Sequence, residues 1–363
     1  MARVVLENVT KKLGKKTVVD NLSLEVNDGE FVCLLGPPGA GKTTTLRMIA
    51  GLESQTSGDI RIGDKVVNNL QPAQRNVSMV FQTFALYPQM TVYENLAFPL
   101  KKRRMPRPDI DRKVREVAEM LGILPLLEKK PALLSGGERQ RVAIGRAIVR
   151  PSDVFLLDEP LSNLDAKLRI LMRAELRKLQ EQLKQTAIFS TPDELEALSM
   201  ADRIGVINDG KLVQFDASET VYDRPKDLFV AKFVGSPPMN TLVGKYEAKD
   251  GKSFISLSGF SLNVSELRER LGDQRFGSEL VLGVRPSNIA VSKEKSGVND
   301  VQAEVYASEP LGSETILDLK VGDDIVKAVV PPTFTSDMGE TVWLAIDMNR
   351  IHIFDKQSEV TLV

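Results

Sequence analysis

The segment FVCLLGPPGAGKTT, residues 31–44, joins an apolar run to a glycine-rich loop that ends in lysine and threonine. The apolar run predicts a buried β-strand, and the spacing of Leu46, Ile49 and Ala50 predicts a helix after the loop. Glycines let the backbone curl so that its N–H groups point inward, which suits a phosphate group. A plain Gly/Pro-rich turn would explain the loop alone, but the strand and helix around it favour a nucleotide site.

This loop follows the pattern G-x-x-x-x-G-K-[ST], in which each position has a physical role. Lys42 is expected to reach the β- and γ-phosphates, and the Thr43 hydroxyl is expected to ligate Mg²⁺. The predicted nucleotide-binding residues of the loop are Gly36, Pro37, Pro38, Gly39, Ala40, Gly41, Lys42, Thr43 and Thr44.

Two more motifs lie downstream. The run VFLLDEP, residues 154–160, predicts a buried strand that delivers two adjacent carboxylates. One carboxylate suits a hydrated Mg²⁺ ion, and the other suits a water molecule that must be oriented for attack. The stretch LSGGERQR, residues 134–141, would open a helix whose free N–H groups could face an anion. Taken alone, it is equally well a helix cap, and both interpretations stay open.

The length and composition of the chain limit the classes of protein to which it can belong. Its 363 residues predict two domains, and 48 basic against 49 acidic side chains give no basic excess for nucleic acid. The single cysteine, Cys33, precludes an intramolecular disulfide, fits a reducing cytosol, and is expected to be a buried strand residue. No segment approaches the roughly 18 consecutive apolar residues of a membrane span. We therefore expect a soluble intracellular chain that reaches a membrane only through partner subunits.

Strand-like and helical segments alternate in the first two thirds of the chain, which predicts an α/β fold with a mostly parallel sheet. The strand-like runs lie near Phe31, Val77, Val154, Ala187 and Ile204. Residues 87–150 are interpreted as a helical insertion that carries the Ser-Gly-Gly motif. The basic run at 101–104 is either a solvated loop, which we favour, or a patch for lipid head groups or nucleic acid.

The paired prolines of GSPP, residues 235–238, predict a domain boundary, with domains at 1–235 and 236–363. Beyond it, short β-rich runs with close turn residues predict small antiparallel barrels. An OB-like barrel could suggest single-stranded nucleic acid, but an aromatic and basic platform is missing from the sequence.

Phe81-Gln82 and the stretch SNLD, residues 162–165, complete the set of motifs. In this order and spacing, residues 1–235 resemble the nucleotide-binding subunits of ABC transporters. The stretches LGVRPSNI, residues 282–289, and EPLGSET, residues 309–315, resemble the C-terminal regulatory domain of carbohydrate-importer ATPases. The resemblance implies a P-loop ABC ATPase domain with a helical subdomain, followed by an all-β, OB-like (TOBE-type) regulatory domain.

The resemblance also implies roles for single residues. Asp158 would hold Mg²⁺ through water, Glu159 would act as general base, and Gln82 would touch Mg²⁺ and the attacking water while linking the site to a membrane partner. Asp165 would lie at a dimer interface. The residues expected to close on ATP held by the opposite subunit are Ser135, Gly136, Gly137 and Glu138.

A family member of this kind would use ATP and Mg²⁺ at the cytoplasmic face of the membrane. It would energise an importer of a carbohydrate or polyol-type solute, together with two permease subunits, an extracytoplasmic solute-binding protein and no nucleic acid. The alternatives are an importer of polyamines, iron or oxyanions, a subunit that binds ATP but hydrolyses it weakly, and a soluble ABC ATPase of DNA repair or translation.

Two positions depart from the family pattern. Where the family has a histidine that contacts the γ-phosphate, this chain has Pro192, which has no side-chain donor and no backbone N–H. Locally, a proline there is also suited to open the next helix. Leu13 stands where an aromatic side chain usually stacks on adenine. The only histidine, His352, alternates within a late β-run and is expected to be structural. We therefore expect a heterodimer in which a different ATPase subunit supplies the intact histidine.

Overall fold

The computed structural model describes residues 2–295, 297 and 300–363. The chain forms two compact units, one extending to Thr220 and the other running from Val221 to Val363.

The first unit is an α/β structure. Its strands are β1 Val4–Leu13, β2 Lys16–Val26, β3 Phe31–Leu35, β4 Ser57–Ile62, β5 Lys65–Val66, β6 Val77–Val80, β7 Val154–Asp158, β8 Thr186–Thr191, β9 Arg203–Asn208 and β10 Lys211–Ala217. Its helices are α1 Lys42–Ala50, α2 Val92–Lys102, α3 Arg107–Met120, α4 Gly136–Ile148, α5 Ala166–Leu183 and α6 Glu194–Met200, with α7 Ser218–Asp223 across the boundary. Short 3-10 helices lie at Pro72–Gln74, Leu124–Leu126 and Pro131–Leu133.

A mostly parallel sheet has the strand order β10-β9-β3-β8-β7-β6, with only β10 antiparallel to its neighbour. This confirms the predicted parallel sheet. The central strands β3, β7 and β8 are buried throughout, as expected of a parallel sheet covered on both faces, and Cys33 lies within β3. Because parallel strands end at one edge, the loop after β3, the acids after β7 and the residues after β8 come together there. A second, antiparallel sheet has the order β2-β1-β4-β5.

Helices α2, α3 and α4 form the predicted helical insertion around their own core, which includes Leu96, Val114 and Val142. The helices approach closely at Gly145, where a Cβ atom would lie 2.8 Å from Leu96 Cδ2. The loop prediction for residues 101–104 is wrong in part, because Lys101 and Lys102 form the last turn of α2. Lysines there are favoured by the negative end of the helix dipole. All four side chains are exposed, as predicted.

The second unit is mainly β-structure. Its strands are β11 Asn240–Lys249, β12 Lys252–Ser256, β13 Ser261–Asn263, β14 Glu279–Val284, β15 Ile289–Ser292, β16 Val301–Pro310, β17 Thr315–Val321, β18 Asp324–Val330, β19 Thr341–Ile346 and β20 Ile351–Asp355. Its helices are α8 Leu228–Phe233 and α9 Arg268–Leu271, with 3-10 turns at Ser265–Leu267, Asp273–Arg275 and Pro286–Asn288.

These strands form two antiparallel sheets, β13-β12-β11-β14-β20 and β15-β19-β16-β17-β18, which confirms the predicted antiparallel β-domain. One core joins them, with Leu282 contributed by the first sheet and Leu317 by the second. His352 lies in β20, as predicted for a strand residue. Among the described residues, every helix is too short or too polar to cross a membrane.

Candidate functional site

The phosphate loop lies between β3 and the first residue of α1, Lys42. Two glycines give it its shape. A Cβ atom on Gly36 would lie 2.1 Å from the carbonyl oxygen of Ile207, and one on Gly41 would lie 2.5 Å from that of Val18. Gly41 also has a left-handed backbone with φ 106°, which a larger residue rarely adopts. The loop therefore depends on glycine at both positions, and it offers the N-terminus of α1 to an anion.

Lys42 is almost fully buried at the base of this loop. Its Nζ donates hydrogen bonds to the carbonyl oxygens of Gly36, at 2.8 Å, and Pro37, at 3.0 Å. Burial lowers the pKa of Lys42, and the nearby carboxylate of Glu159 opposes that shift. The ammonium group is thus held by neutral carbonyls that a phosphate group could replace.

Asp158 is the centre of the hydrogen-bond network beside the loop. Its Oδ1 accepts from the Thr43 hydroxyl at 2.7 Å and from the Ser190 hydroxyl at 2.8 Å. Strand register explains the second contact, because Asp158 of β7 pairs with Ser190 of β8. A hydroxyl beside a carboxylate is a donor set that fits Mg²⁺, which binds few protein oxygens and keeps water and phosphate ligands. Within the described residues, no cluster of three or more His, Cys, Asp or Glu could hold a metal by itself.

Glu159 has a left-handed backbone with φ 44°, which is uncommon for a residue other than glycine. Its backbone N–H donates to the carbonyl oxygen and to the hydroxyl oxygen of Ser190, each with an N···O distance of 3.1 Å. Its side chain accepts from Gln82 Nε2 at 2.8 Å, and Asn163 Nδ2 donates to the Gln82 carbonyl at 2.6 Å. Such backbone strain is concentrated at functional sites. The sequence alone indicated no role for Ser190 or Asn163.

Pro192 follows the last residue of β8 and precedes Asp193, the N-cap of α6. The expectation that this proline opens the helix is wrong by two positions, because α6 begins at Glu194. The Asp193 carboxylate provides the cap instead, accepting from the N–H groups of Leu195 at 2.9 Å and Glu196 at 3.2 Å. Thr191 is extended, as the following proline requires.

An open cleft joins Pro192 to Glu159. Its polar wall is formed by Arg169, whose Nε lies 3.7 Å from Glu196 Oε1, and by Thr191, whose hydroxyl donates to Glu196 at 2.6 Å. Burial raises the pKa of Glu196. Pro192 adds no hydrogen-bond donor to this wall.

The Ser-Gly-Gly motif lies at the start of α4, as predicted. Ser135 is the N-cap, and its hydroxyl accepts from the Glu138 N–H at 3.3 Å while the Glu138 carboxylate accepts from the Ser135 N–H at 2.7 Å. These bonds lower the pKa of Glu138. A Cβ atom on Gly137 would lie 2.7 Å from Leu168 Cδ2, so a larger residue would displace the Leu168 side chain where α4 meets α5. Asp165 caps α5 by accepting from the Leu168 N–H at 2.9 Å. The cap interpretation is confirmed, and the N–H groups of the first turn that have no partner within the helix remain suited to an anion.

Leu13 ends β1, and its side chain is half exposed. It presents an aliphatic surface and cannot stack as an aromatic ring would.

The loop after Gln82 is held by two residues, Arg146 and Asn95, whose roles are not evident from the sequence alone. Arg146 of α4 donates to the carbonyls of Ala85 at 2.8 Å and Phe84 at 3.2 Å. Asn95 of α2 is fully buried, and its side chain bonds both the N–H and the carbonyl of Tyr87, at 2.9 and 3.1 Å. The loop is therefore fixed to the helical insertion at several points.

Three family models match parts of the chain. Residues 19–162 match the model described as ABC transporter. Residues 235–289 match the MalK OB fold domain, and residues 295–353 match the TOBE domain.

Similar proteins extend over nearly the whole length. A trehalose/maltose import ATP-binding protein of Thermococcus litoralis is 50% identical over 98% of both chains. An oligosaccharides import ATP-binding protein of Bacillus subtilis is 43% identical over 100% of both chains. An sn-glycerol-3-phosphate import ATP-binding protein of a Ruegeria species is 44% identical over 99% of this chain and 98% of its own.

A solved structure also resembles this protein. The dimeric, post-hydrolysis ATP-binding cassette MJ0796, bound to ADP and Pi, has a TM-score of 0.54 and 32% sequence identity. The similarity covers 59% of this chain and 98% of that cassette.

Proposed function

This chain belongs to the ATP-binding subunits of ABC transporters, and we propose that it energises an importer of a carbohydrate or polyol-type solute. It is an ABC-type ATPase in which ATP hydrolysis is coupled to transport. The full-length similarity to import subunits named for trehalose and maltose, oligosaccharides and sn-glycerol 3-phosphate supports the solute class.

The hydrogen-bond network around Asp158 is the single observation that carries the mechanism. Mg²⁺, when bound, would neutralise charge on the phosphates, and Thr43 and Asp158 are the residues suited to hold it. Lys42 would exchange its carbonyl partners for phosphate oxygens. Glu159 would take a proton from the attacking water, with Gln82 orienting its carboxylate.

The importer assignment implies partner proteins for this chain. The chain would bind two membrane permeases at the cytoplasmic face and would work with an extracytoplasmic solute-binding protein. The segment 83–95, which comprises the loop after Gln82 and the start of α2, would lie beneath the permease. The OB fold match that begins at residue 235 supports a domain boundary near 235/236.

The experiment is reconstitution in proteoliposomes with the permeases that co-purify with this chain and with their solute-binding protein. At least one solute among maltose, trehalose, other oligosaccharides and glycerol phosphate should stimulate ATP hydrolysis and be taken up. Stimulation by polyamines, iron or sulfate instead would contradict the solute class. Purification with DNA or ribosomes instead of permeases would contradict the importer assignment.

The expectation of a second, different ATPase subunit is based on Pro192. We propose that the site formed by this chain's Lys42 and Glu159 binds ATP and turns over slowly, whereas this chain's Ser135 serves the faster site of a partner that has the histidine. The same proline supports the alternative of a weakly hydrolysing regulatory subunit.

Co-purification and single-subunit assays separate these two proposals. A heterodimer predicts a second ATPase in the purified transporter and a low rate for this chain alone. A transporter whose two ATPase subunits are both this chain, hydrolysing ATP at an ordinary rate, would contradict both.

A further inference from the structure

A polar cleft of about 320 Å³ opens on the second unit, away from the phosphate loop in sequence. It is lined by the end of α7 and by the segments that follow β14 and precede β20. The lining includes three arginines, Arg224, Arg285 and Arg350, and a single acidic residue, Asp223. The lining therefore has a net positive charge.

Arg285 is the buried member of this set, with only 2% of its surface exposed. Its two terminal nitrogens donate to the carbonyls of Val234, at 2.6 Å, and Tyr222, at 2.5 Å. Its Nε has no hydrogen-bond partner among the described residues. The guanidinium carbon also lies 3.8 Å from the centre of the Tyr222 ring, and the Asp223 carboxylate of the cleft is the nearby negative charge. Because Asp223 is shared with Arg350 and makes no direct ion pair with Arg285, the buried guanidinium keeps capacity for an anionic ligand.

Three further side chains of the cleft make no hydrogen bond to any described residue: His352, Asn288 and Asn349. Burial, and secondly the charge of Arg285, lower the pKa of His352 to about 4, so its imidazole is neutral at pH 7. A neutral imidazole donates from one nitrogen, and each amide donates from its NH₂ group. Donors from separate segments thus converge on one space.

We propose that this cleft binds a phosphate-class anion, either inorganic phosphate or the phosphate group of a small ester. Guanidinium groups bind phosphate through paired, charge-assisted hydrogen bonds, and amide and imidazole N–H groups supply the remaining donors. The exposed pair of Arg350 with Asp223, 3.6 Å apart, is weak enough to be exchanged for such an anion. The cleft volume lies near the lower end of the roughly 300–1,000 Å³ range of ligand pockets, which suits a small ligand.

The chain offers a built-in reporter for this cleft, because His352 is its only histidine. Full-length protein labelled with ¹³C-histidine gives one set of imidazole signals in an NMR spectrum. At pH 7.5 and constant ionic strength, inorganic phosphate, sulfate, glycerol 3-phosphate and a chloride control are each titrated against that set. Phosphate or its ester should give a saturable shift that chloride does not give.

Three variants make the test specific. Arg350→Gln removes an exposed guanidinium of the cleft and should weaken binding about tenfold. Arg270→Gln removes an exposed arginine of α9 outside the cleft and should leave binding unchanged. Lys42→Ala weakens the phosphate loop and should keep the His352 response, which separates this site from the nucleotide site.

The titrations distinguish a site for free phosphate, a site for phosphate esters and the absence of a site. A response to both phosphate and glycerol phosphate supports the site for the free ion, and a response to the ester alone supports it for phosphate esters. The proposal is overturned if no anion gives a saturable shift, or if Arg350→Gln binds as tightly as the unchanged protein. These outcomes are independent of the importer assignment.

Discussion

The two predicted nucleotide-binding regions of the first unit are built in different ways. The region around Asp158 joins residues from α1, β7, β8 and the segment after β6 by hydrogen bonds that cross the sheet edge. The start of α4 is nearly self-contained, since Ser135 and Glu138 cap each other within one turn. The first region depends on tertiary register and the second on local sequence. A change in the first region should therefore alter chemistry, whereas a change in the second should first alter helix stability.

The largest expected effect is that of Glu159→Gln. Gln keeps the side-chain shape but cannot accept a proton from water, so hydrolysis should fall about 10²- to 10⁴-fold while ATP binding persists. Single-turnover hydrolysis and nucleotide binding measure the two properties. Glu7→Gln, at an exposed position of β1, is the control and should match the unchanged protein. Equal losses of binding and hydrolysis would contradict the role of Glu159 as base.

Pro192→His should act in the opposite direction. A restored donor at this position should raise the hydrolysis rate of this chain's own site by about tenfold to a hundredfold. Steady-state ATPase assays of the single-subunit protein test this, with Pro151→His as a control at a proline in the turn before β7. No increase would mean that Pro192 is not the cause of a slow site.

Ser190→Ala tests the network at a residue that contacts no nucleotide in our proposal. Its hydroxyl donates to Asp158 and accepts from the Glu159 N–H, so its loss should cost about 1–3 kcal/mol of unfolding free energy. Because Asp158 loses a donor, Mg²⁺ dependence of hydrolysis should also change. Denaturant unfolding and Mg²⁺ titration measure both effects. Ser199→Ala, on the exposed side of α6, is the control for stability.

Ser135→Ala examines the other region. Loss of an N-cap costs about 0.5–2 kcal/mol, so α4 should become less stable in hydrogen exchange and denaturant unfolding. ATP binding to this chain's own phosphate loop should stay unchanged, because that loop makes no use of Ser135. Reduced ATP binding by the isolated subunit would break the distinction between the two regions.

The smallest effect is expected from Glu138→Gln, and it should depend on pH. The pKa of Glu138 is lowered from its ordinary value of 4.5 by the bonds to Ser135. Its charged form therefore stabilises the folded state above that value, and the contribution is lost as pH falls through the lowered pKa. The stability difference between the two proteins should be present at pH 7 and vanish in acid. A difference that grew in acid would contradict this.

Much of the fold could be predicted, because the parallel strands and the caps are encoded locally. Apolar runs mark β3, β7 and β8, and the Ser-Gly-Gly stretch marks the start of α4. The roles of Ser190 and Asn163 could not be predicted in the same way. Ser190 reaches Asp158 only because β7 and β8 pair in one register, and no periodicity in the sequence specifies that pairing. The helical position of Lys101 was missed because charge alone does not distinguish a last turn from a loop.

The loop after Gln82 is held by hydrogen bonds to two helices, and this limits how it can move. Arg146 and Asn95 fix it to α4 and α2, two helices that touch closely at Gly145. Gln82 is in turn bonded to Glu159, so the carboxylate and the helical insertion are connected by a short, stiff linkage. A displacement at either end must then be transmitted to the other or break a hydrogen bond. We therefore expect Glu159 and the helices α2 and α4 to move together when either is displaced.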